Sequence, residues 1–357
     1  MKFRNAVSMS LAVAAVAAAS ACGSSGSTKT VTQTAANSGG GGDKGVLVGA
    51  GSTFVAPLVS QWEADYVKSP AAVTITYGAI GSGGGIDQIT ARTVDFGASD
   101  APLSSDQAAA CKGCIQIPWS LGAVAITYNV KGAPNKLHLT GPVLADIFMG
   151  KVTSWNDPAI AKLNPGVNLP DTHITPVYRS DGSGTSFAFT DWLTKVSPDF
   201  ANSVGTSTQP PFPTGTGAEH SSGVVAAVQA TDGALTYVDL AYVQANDLDY
   251  ALLQNAAGNY PEPDTKSVLA ASTVGTTNPD GSISLVNPPA SAPDAYPDAT
   301  FTYVIVPQSS PKASTLKAFL EYAVGPKGQA FGPDLGYPKL PASIVATDQK
   351  LIAKIGS

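Results

Sequence analysis

The stretch YRSDGSGTSFAF, residues 178–189, sets Arg179, Asp181, Ser183, Gly184 and Thr185 close together ahead of a run of aromatics. Two other turns carry the same small-residue theme: GAGSTF, with Thr53 and Phe54, and GSGGG, which opens on Gly81 and Ser82. Hydroxyls and bare backbone at turns leading into helices suit an anion, because unpaired N–H groups and the positive end of the helix dipole both favour negative charge. Taken singly, Thr53, Ser82 and Ser183 each read as ordinary N-caps. All three beside glycines, with Arg179 four residues before Ser183, read together as one anion site. Arg179 would add a planar fork of donors able to grip two oxygens of a tetrahedral anion. Asp181 is open to two readings, as the group that holds this fork and as a turn-forming aspartate.

An exported hydrolase using Ser183 or Thr53 as nucleophile would need an activating base, and most phosphatases need metal ligands as well. His138, His173 and His220 are scattered without H-x-x-x-H spacing, and neither G-x-S-x-G nor GxxxxGK[ST] occurs. The residues therefore point to binding without catalysis, cofactor or metal.

These side chains must be held by elements, and the pattern supplies them. VLVGAGSTF reads as a strand running into a turn, and Val55, Leu58, Val59, Trp62 and Tyr66 then fall on one helical face. VTITYGAI alternates as a strand does, GSGGG interrupts it, and Ile86 and Ile89 begin another helical face. TVDFGAS is a further strand, leading into Asp100, with Ser104-Ser105-Asp106 as a helix start. Phe189, Trp192, Leu193 and Val196 make a helical face after Thr185, so the first quoted stretch is a strand-to-helix turn. Strands alternating with helices predict open α/β sheets, whose ligands bind at the carboxyl ends of strands. AVAITYNV (123–130) and FTYVIVP (301–307) are apolar strands. Set side by side, they would carry the chain out of one lobe and back into it, giving lobe I as 46–127 with 299–357 and lobe II as 128–298. The proline-dense segment 255–300 reads as long surface loops.

The chain has 357 residues, 43% hydrophobic and 13% charged, which is enough for two packed lobes. Its start, MKFRNAVSMSLAVAAVAAASAC, has a basic end and an apolar run too short to span a bilayer, so 1–21 reads as an export signal. Losing Lys2 and Arg4 with that leader takes the net charge from −6 to −8, which disfavours a nucleic-acid partner. The order Ala19-Ser20-Ala21-Cys22 resembles the lipobox of bacterial lipoproteins, which implies acylation of Cys22; Ala19 stands where that pattern usually has Leu, and cleavage without lipidation stays open. Residues 22–45 then read as a flexible polar tether to a membrane. Cys111 and Cys114 form a C-x-x-C pair, which in a reducing cell would read as a redox or zinc motif; export favours a small-loop disulfide.

GAGSTFVAPLVSQW, GAIGSGGGIDQITARTVDFGASDAPLS and YRSDGSGTSFAFTDWL closely resemble the phosphate-binding protein of the bacterial high-affinity phosphate ABC transporter, and the likeness runs in order through DIFMGKVTSWNDPAIAKLNPGVNLP to LGYPKLP. The resemblance implies a type II periplasmic-binding-protein fold, with two α/β lobes joined by a two-strand hinge and phosphate held in the cleft. It implies a monomeric extracytoplasmic lipoprotein that delivers inorganic phosphate to an ABC-transporter permease and ATPase complex. A tethered phosphate sensor is the alternative on the same fold. The family's ligand positions fall on Thr53, the N–H of Phe54, Ser82, Asp100, Arg179, Ser183, the N–H of Gly184 and Thr185, with Asp181 supporting the arginine. Asp100 is then a filter: protonated phosphate can donate a hydrogen bond to its carboxylate, whereas sulfate has no proton to give. The CKGC turn and the segment 255–300 depart from the family's pattern.

Overall fold

Two long apolar strands, Cys114–Asn129 and Ala299–Pro307, lie at the centre of the architecture, and nearly all their residues are buried, so they need not alternate. The computed structural model describes residues 45–69 and 73–357; the leader, Cys22 and the tether up to residue 44 lie outside the described residues. Eight strands form one sheet in the order Thr74–Ala79, Val46–Gly51, Phe96–Ser99, Ala299–Pro307, Cys114–Asn129, Ala234–Asp239, Thr175–Arg179 and Thr216–Ala218. The first three are mutually parallel, as are the last three, while the two central strands run antiparallel to their neighbours. No helix among the described residues is long and apolar enough to cross a membrane.

The helical faces read from the sequence are the ones that pack. In Ala56–Tyr66, Leu58, Val59, Trp62 and Tyr66 are buried, and in Gly184–Val196 so are Phe189, Trp192 and Leu193. Each such side chain contributes roughly 1.5–3 kcal/mol of burial. Ser104 opens the helix Ser105–Cys111 through a capping box with Gln107, as its position predicts.

Two expectations are corrected. The strand expected over 123–130 begins at Cys114, and the strand Ala299–Pro307 pairs with its first part, from Ala299 opposite Ala123 to Pro307 opposite Cys114. The remainder, Val124 to Asn129, pairs instead with Ala234–Asp239. Pro118, with no N–H to give the ladder, sits opposite Tyr303 where the register shifts, and that irregularity lets one strand continue through it. In the proline-dense segment, Thr265–Ser272 is a helix rather than a loop, closed at its start by a capping box between Asp264 and Ser267. A short hairpin, Thr276–Thr277 with Ile283–Ser284, follows it. The prolines flank these elements and do not enter them, so their density conceals a helix signalled by Asp264.

Candidate anion-binding site

Strand ends and helix starts deliver the predicted residues to one place. Thr53 follows the strand Val46–Gly51, Asp100 follows Phe96–Ser99, and Arg179 ends Thr175–Arg179. Ser82 is the first residue of the helix Ser82–Thr90, and Ser183 is the N-cap of Gly184–Val196. Thr53, Ser82, Asp100, Arg179, Ser183 and Thr185 are all nearly fully buried.

The capping alternative divides cleanly. Ser183 does cap its helix, accepting from the N–H of Ser186 at 3.1 Å, which leaves its hydroxyl proton free to donate elsewhere. Ser82 makes no cap, and the helix after Thr53 is entered at Val55 without one. Ser82 Oγ instead accepts from the N–H of Gly184 at 3.0 Å and from that of Asp100 at 3.3 Å. Thr53 Oγ1 accepts from Arg179 Nη1 at 3.0 Å. The N–H of Phe54 donates to the Ser52 hydroxyl at 3.1 Å, and the Phe54 carbonyl accepts from the hydroxyl of Tyr337.

Arg179 is held by Asp181, which accepts from Nε at 2.7 Å and from Nη2 through its second oxygen. Burial works against the charge on Asp181, but Arg179 and the N–H of His220 together hold its carboxyl below the usual carboxylate range. With both ends of the fork engaged, Nη1 and Nη2 each retain one further N–H.

Asp100 is the acid among these donors. Its Oδ1 accepts from Ser52 Oγ at 2.5 Å and from Thr302 Oγ1 at 2.8 Å, whereas Oδ2 has only Thr185 Oγ1 at 3.3 Å. Burial raises its pKa to about 6, with the Ser52 and Thr302 hydroxyls and the Arg179 charge opposing that rise. It is therefore mainly ionised at neutral pH, with lone-pair capacity remaining on Oδ2.

Three contributors escaped the sequence reading: Ser52, Thr302 and Ser221. Ser221 shares a hydrogen bond of 2.7 Å with Thr53 Oγ1, and its N–H donates to the same oxygen at 3.3 Å. It lies in the first turn of the helix His220–Ala230, so a further helix start joins the others. The signal was present as SSG in EHSSG, another small hydroxyl stretch ahead of an apolar run. Ser52 and Thr302 carried no such mark, because their role depends on Asp100, 48 and 202 residues away.

Glycines close the arrangement. Gly81 has φ +85, and a Cβ there would lie 2.3 Å from Asp181 Oδ2; one at Gly184 would lie 2.6 Å from the backbone nitrogens of Asp100 and Ala101. The N–H of Gly83 also donates to the carbonyl of Gly182 at 2.8 Å. No group of three or more potential metal-ligating side chains occurs among the described residues.

The fold agrees with the comparisons to known proteins. Residues 23–327 match the model of the PBP superfamily domain. The phosphate-binding protein PstS of Xylella fastidiosa strain Temecula1 is 42% identical over 300 residues, 83% of this chain and 82% of that protein. The protein of the same name from Pasteurella multocida is 36% identical over 303 residues, 84% of this chain and 87% of its own. A solved structure of a phosphate-binding protein from Stenotrophomonas maltophilia superposes with a TM-score of 0.66 at 22% identity, over 85% of this chain and 93% of that one, which speaks to the fold. The chain belongs to the PBP superfamily and, within it, to the PstS family of phosphate-binding proteins. That is a family of binding proteins rather than enzymes.

Proposed function

We propose that this protein captures inorganic phosphate outside the cytoplasm and delivers it to an ABC-transporter permease and ATPase complex for import. Thr53, Phe54, Ser82 and Asp100 come from lobe I, taken as 46–127 with 299–357. Arg179, Ser183, Gly184 and Thr185 come from lobe II, taken as 128–298. Phosphate bridges the two and favours the closed arrangement by the contacts that only closure provides. The permease then recognises the closed monomer and draws the lobes apart. Cys22, acylated, and the tether 22–45 hold the binder at the membrane.

The observation that carries this reading is the state of Asp100. Its Oδ1 is satisfied by Ser52 and Thr302, while Oδ2, with the Thr185 hydroxyl beside it, keeps acceptor capacity, and the Arg179 charge acts on the same carboxylate. A carboxylate so placed repels a bare oxyanion and accepts from one that still bears a proton. Asp100 thereby selects protonated phosphate over sulfate. Arg179, kept in place by Asp181, supplies the cationic donors.

Calorimetric titration of the purified protein with phosphate, sulfate, arsenate and a phosphomonoester is the deciding experiment. Phosphate and arsenate are expected to bind, with sulfate weaker by roughly 10⁴-fold, the scale for a site built to receive a hydroxyl. The ester is expected to be excluded by the enclosing groups. Equal binding of phosphate and sulfate defeats the reading. Deleting the protein and measuring phosphate uptake then separates import from sensing.

A further inference from the structure

We propose that Arg92 makes Cys111–Cys114 a thiol–disulfide exchange site for small dithiols. The two cysteines are bridged across a turn that leaves the helix Ser105–Cys111 and enters the strand Cys114–Asn129. Arg92 follows the helix Ser82–Thr90 and reaches this turn from the side. Its Nη1 donates to the carbonyl of Ile89 at 2.6 Å and lies 3.4 Å from Cys111 Sγ and 3.2 Å from Cys114 Sγ. Its Nη2 donates to the carbonyls of Cys111 at 2.6 Å and Lys112 at 3.2 Å. Among the described residues, no carboxylate forms an ion pair with Arg92.

A guanidinium with only neutral acceptors is poised to stabilise charge on either sulfur. A thiolate beside such a cation forms well below the ordinary cysteine range of about 8.5. An apolar cluster of Ile86, Ile89, Val94, Leu103 and Ile305 packs around the pair; Lys112 lies in the turn itself, and Asp87 and Asp106 lie on the two neighbouring helices. Cys111 is wholly buried at the carboxyl end of its helix, while Cys114 is partly exposed and within reach of an attacking thiolate. Attack therefore falls on Cys114.

The reaction balances as an exchange. A thiolate of the dithiol bonds to Cys114 Sγ, the Cys111–Cys114 bond breaks, and its electron pair goes to Cys111 Sγ beside Arg92. The second thiol of the reductant loses its proton to solvent and attacks the mixed disulfide, releasing Cys114 as a thiolate. The dithiol ends as a cyclic disulfide, two electrons have passed to the protein, and the protons equilibrate with solvent.

The test uses the folded full chain, reduced with dithiothreitol without denaturant and trapped with iodoacetamide across a pH series, with modified peptides located by mass spectrometry. Cys114 is expected to alkylate with a half-point below about pH 7.5, and Arg92→Gln to move it to about 8.5. Arg92→Lys, which keeps the charge, is expected to fall between them. Phosphate titration serves as the check that each variant is folded. Should Arg92→Gln not fold, the wild-type half-point and Arg92→Lys decide. A wild-type half-point near 8.5, an unchanged half-point in Arg92→Gln, or reduction only in denaturant overturns the proposal.

Discussion

The backbone N–H of Gly184 donates to the hydroxyl of Ser82 at 3.0 Å, joining the starts of two helices that lie 102 residues apart. The fit depends on glycine, since a Cβ at 184 would sit 2.6 Å from the backbone nitrogen of Asp100. Gly184→Ala should leave each half folded and oppose their approach. An overpacking cost of roughly 1–3 kcal/mol corresponds to a loss of phosphate affinity of about 5- to 150-fold. Titration calorimetry alongside a thermal melt of the ligand-free protein checks this, and unaltered affinity would remove the close contact from the account.

Replacing Asp100 with Asn substitutes an amide that can donate as well as accept. The expected outcome is a collapse of the phosphate-to-sulfate ratio, chiefly through tighter sulfate binding. Competition between the two anions for the variant measures that ratio directly, and a ratio equal to wild type counts against the filter.

The same residue gives a pH signature. Burial puts the Asp100 pKa at about 6, so below that value it can donate to sulfate as the amide would. As pH falls toward 6, sulfate affinity should rise, with a limiting slope of about tenfold per pH unit above that value where binding takes up one proton, and it should level off below it. A flat sulfate profile between pH 7 and 5 would show that Asp100 does not govern rejection.

Stability without ligand should follow pH in the direction set by buried acids. Burial raises Asp100 to about 6 and Asp348 to about 8, and it drives Asp239 and Asp298 well above the usual range. In each case the folded state binds a proton more readily than the unfolded one, so stability is lost as pH rises through these values and regained as it falls. Asp181 and Asp199 are shifted downward and withdraw stability only at lower pH, near and below the ordinary carboxylate range. Thermal melts in phosphate-free buffer should therefore give a higher Tm at pH 5 than at pH 8; the reverse order would contradict the burial of these groups.

Arg179→Ala removes the cation and leaves the partly buried Asp181 without its partner. Each charge-assisted hydrogen bond lost is worth about 1.5–3 kcal/mol, so any tetrahedral oxyanion should bind at least about tenfold more weakly. Ser221→Ala, which removes one hydroxyl from Thr53, should cost less, about two- to tenfold. Tight binding by the arginine variant would place Arg179 outside direct contact with the ligand.

Much of this protein is legible locally. The buried face Leu58, Val59, Trp62 and Tyr66, the cap at Ser104 and the turn at Ser183 each depend on residues within a few positions, and short-range periodicity and turn chemistry determine such features. The motif likeness adds the proposed ligand set as an ordered series of positions. What the chain order does not contain is who meets whom. Ser52 and Thr302 on Asp100, Ser221 on Thr53 and Arg92 on the disulfide are contacts between distant segments, and only the pairing of strands in one sheet brings them together. The glycines make the same point. In the sequence they are bare backbone suited to an anion; in the fold Gly81, Gly83 and Gly184 are where two chain segments touch, and a Cβ would meet the Asp181 side chain at Gly81, the Gly182 backbone at Gly83 and the backbone of Asp100 and Ala101 at Gly184.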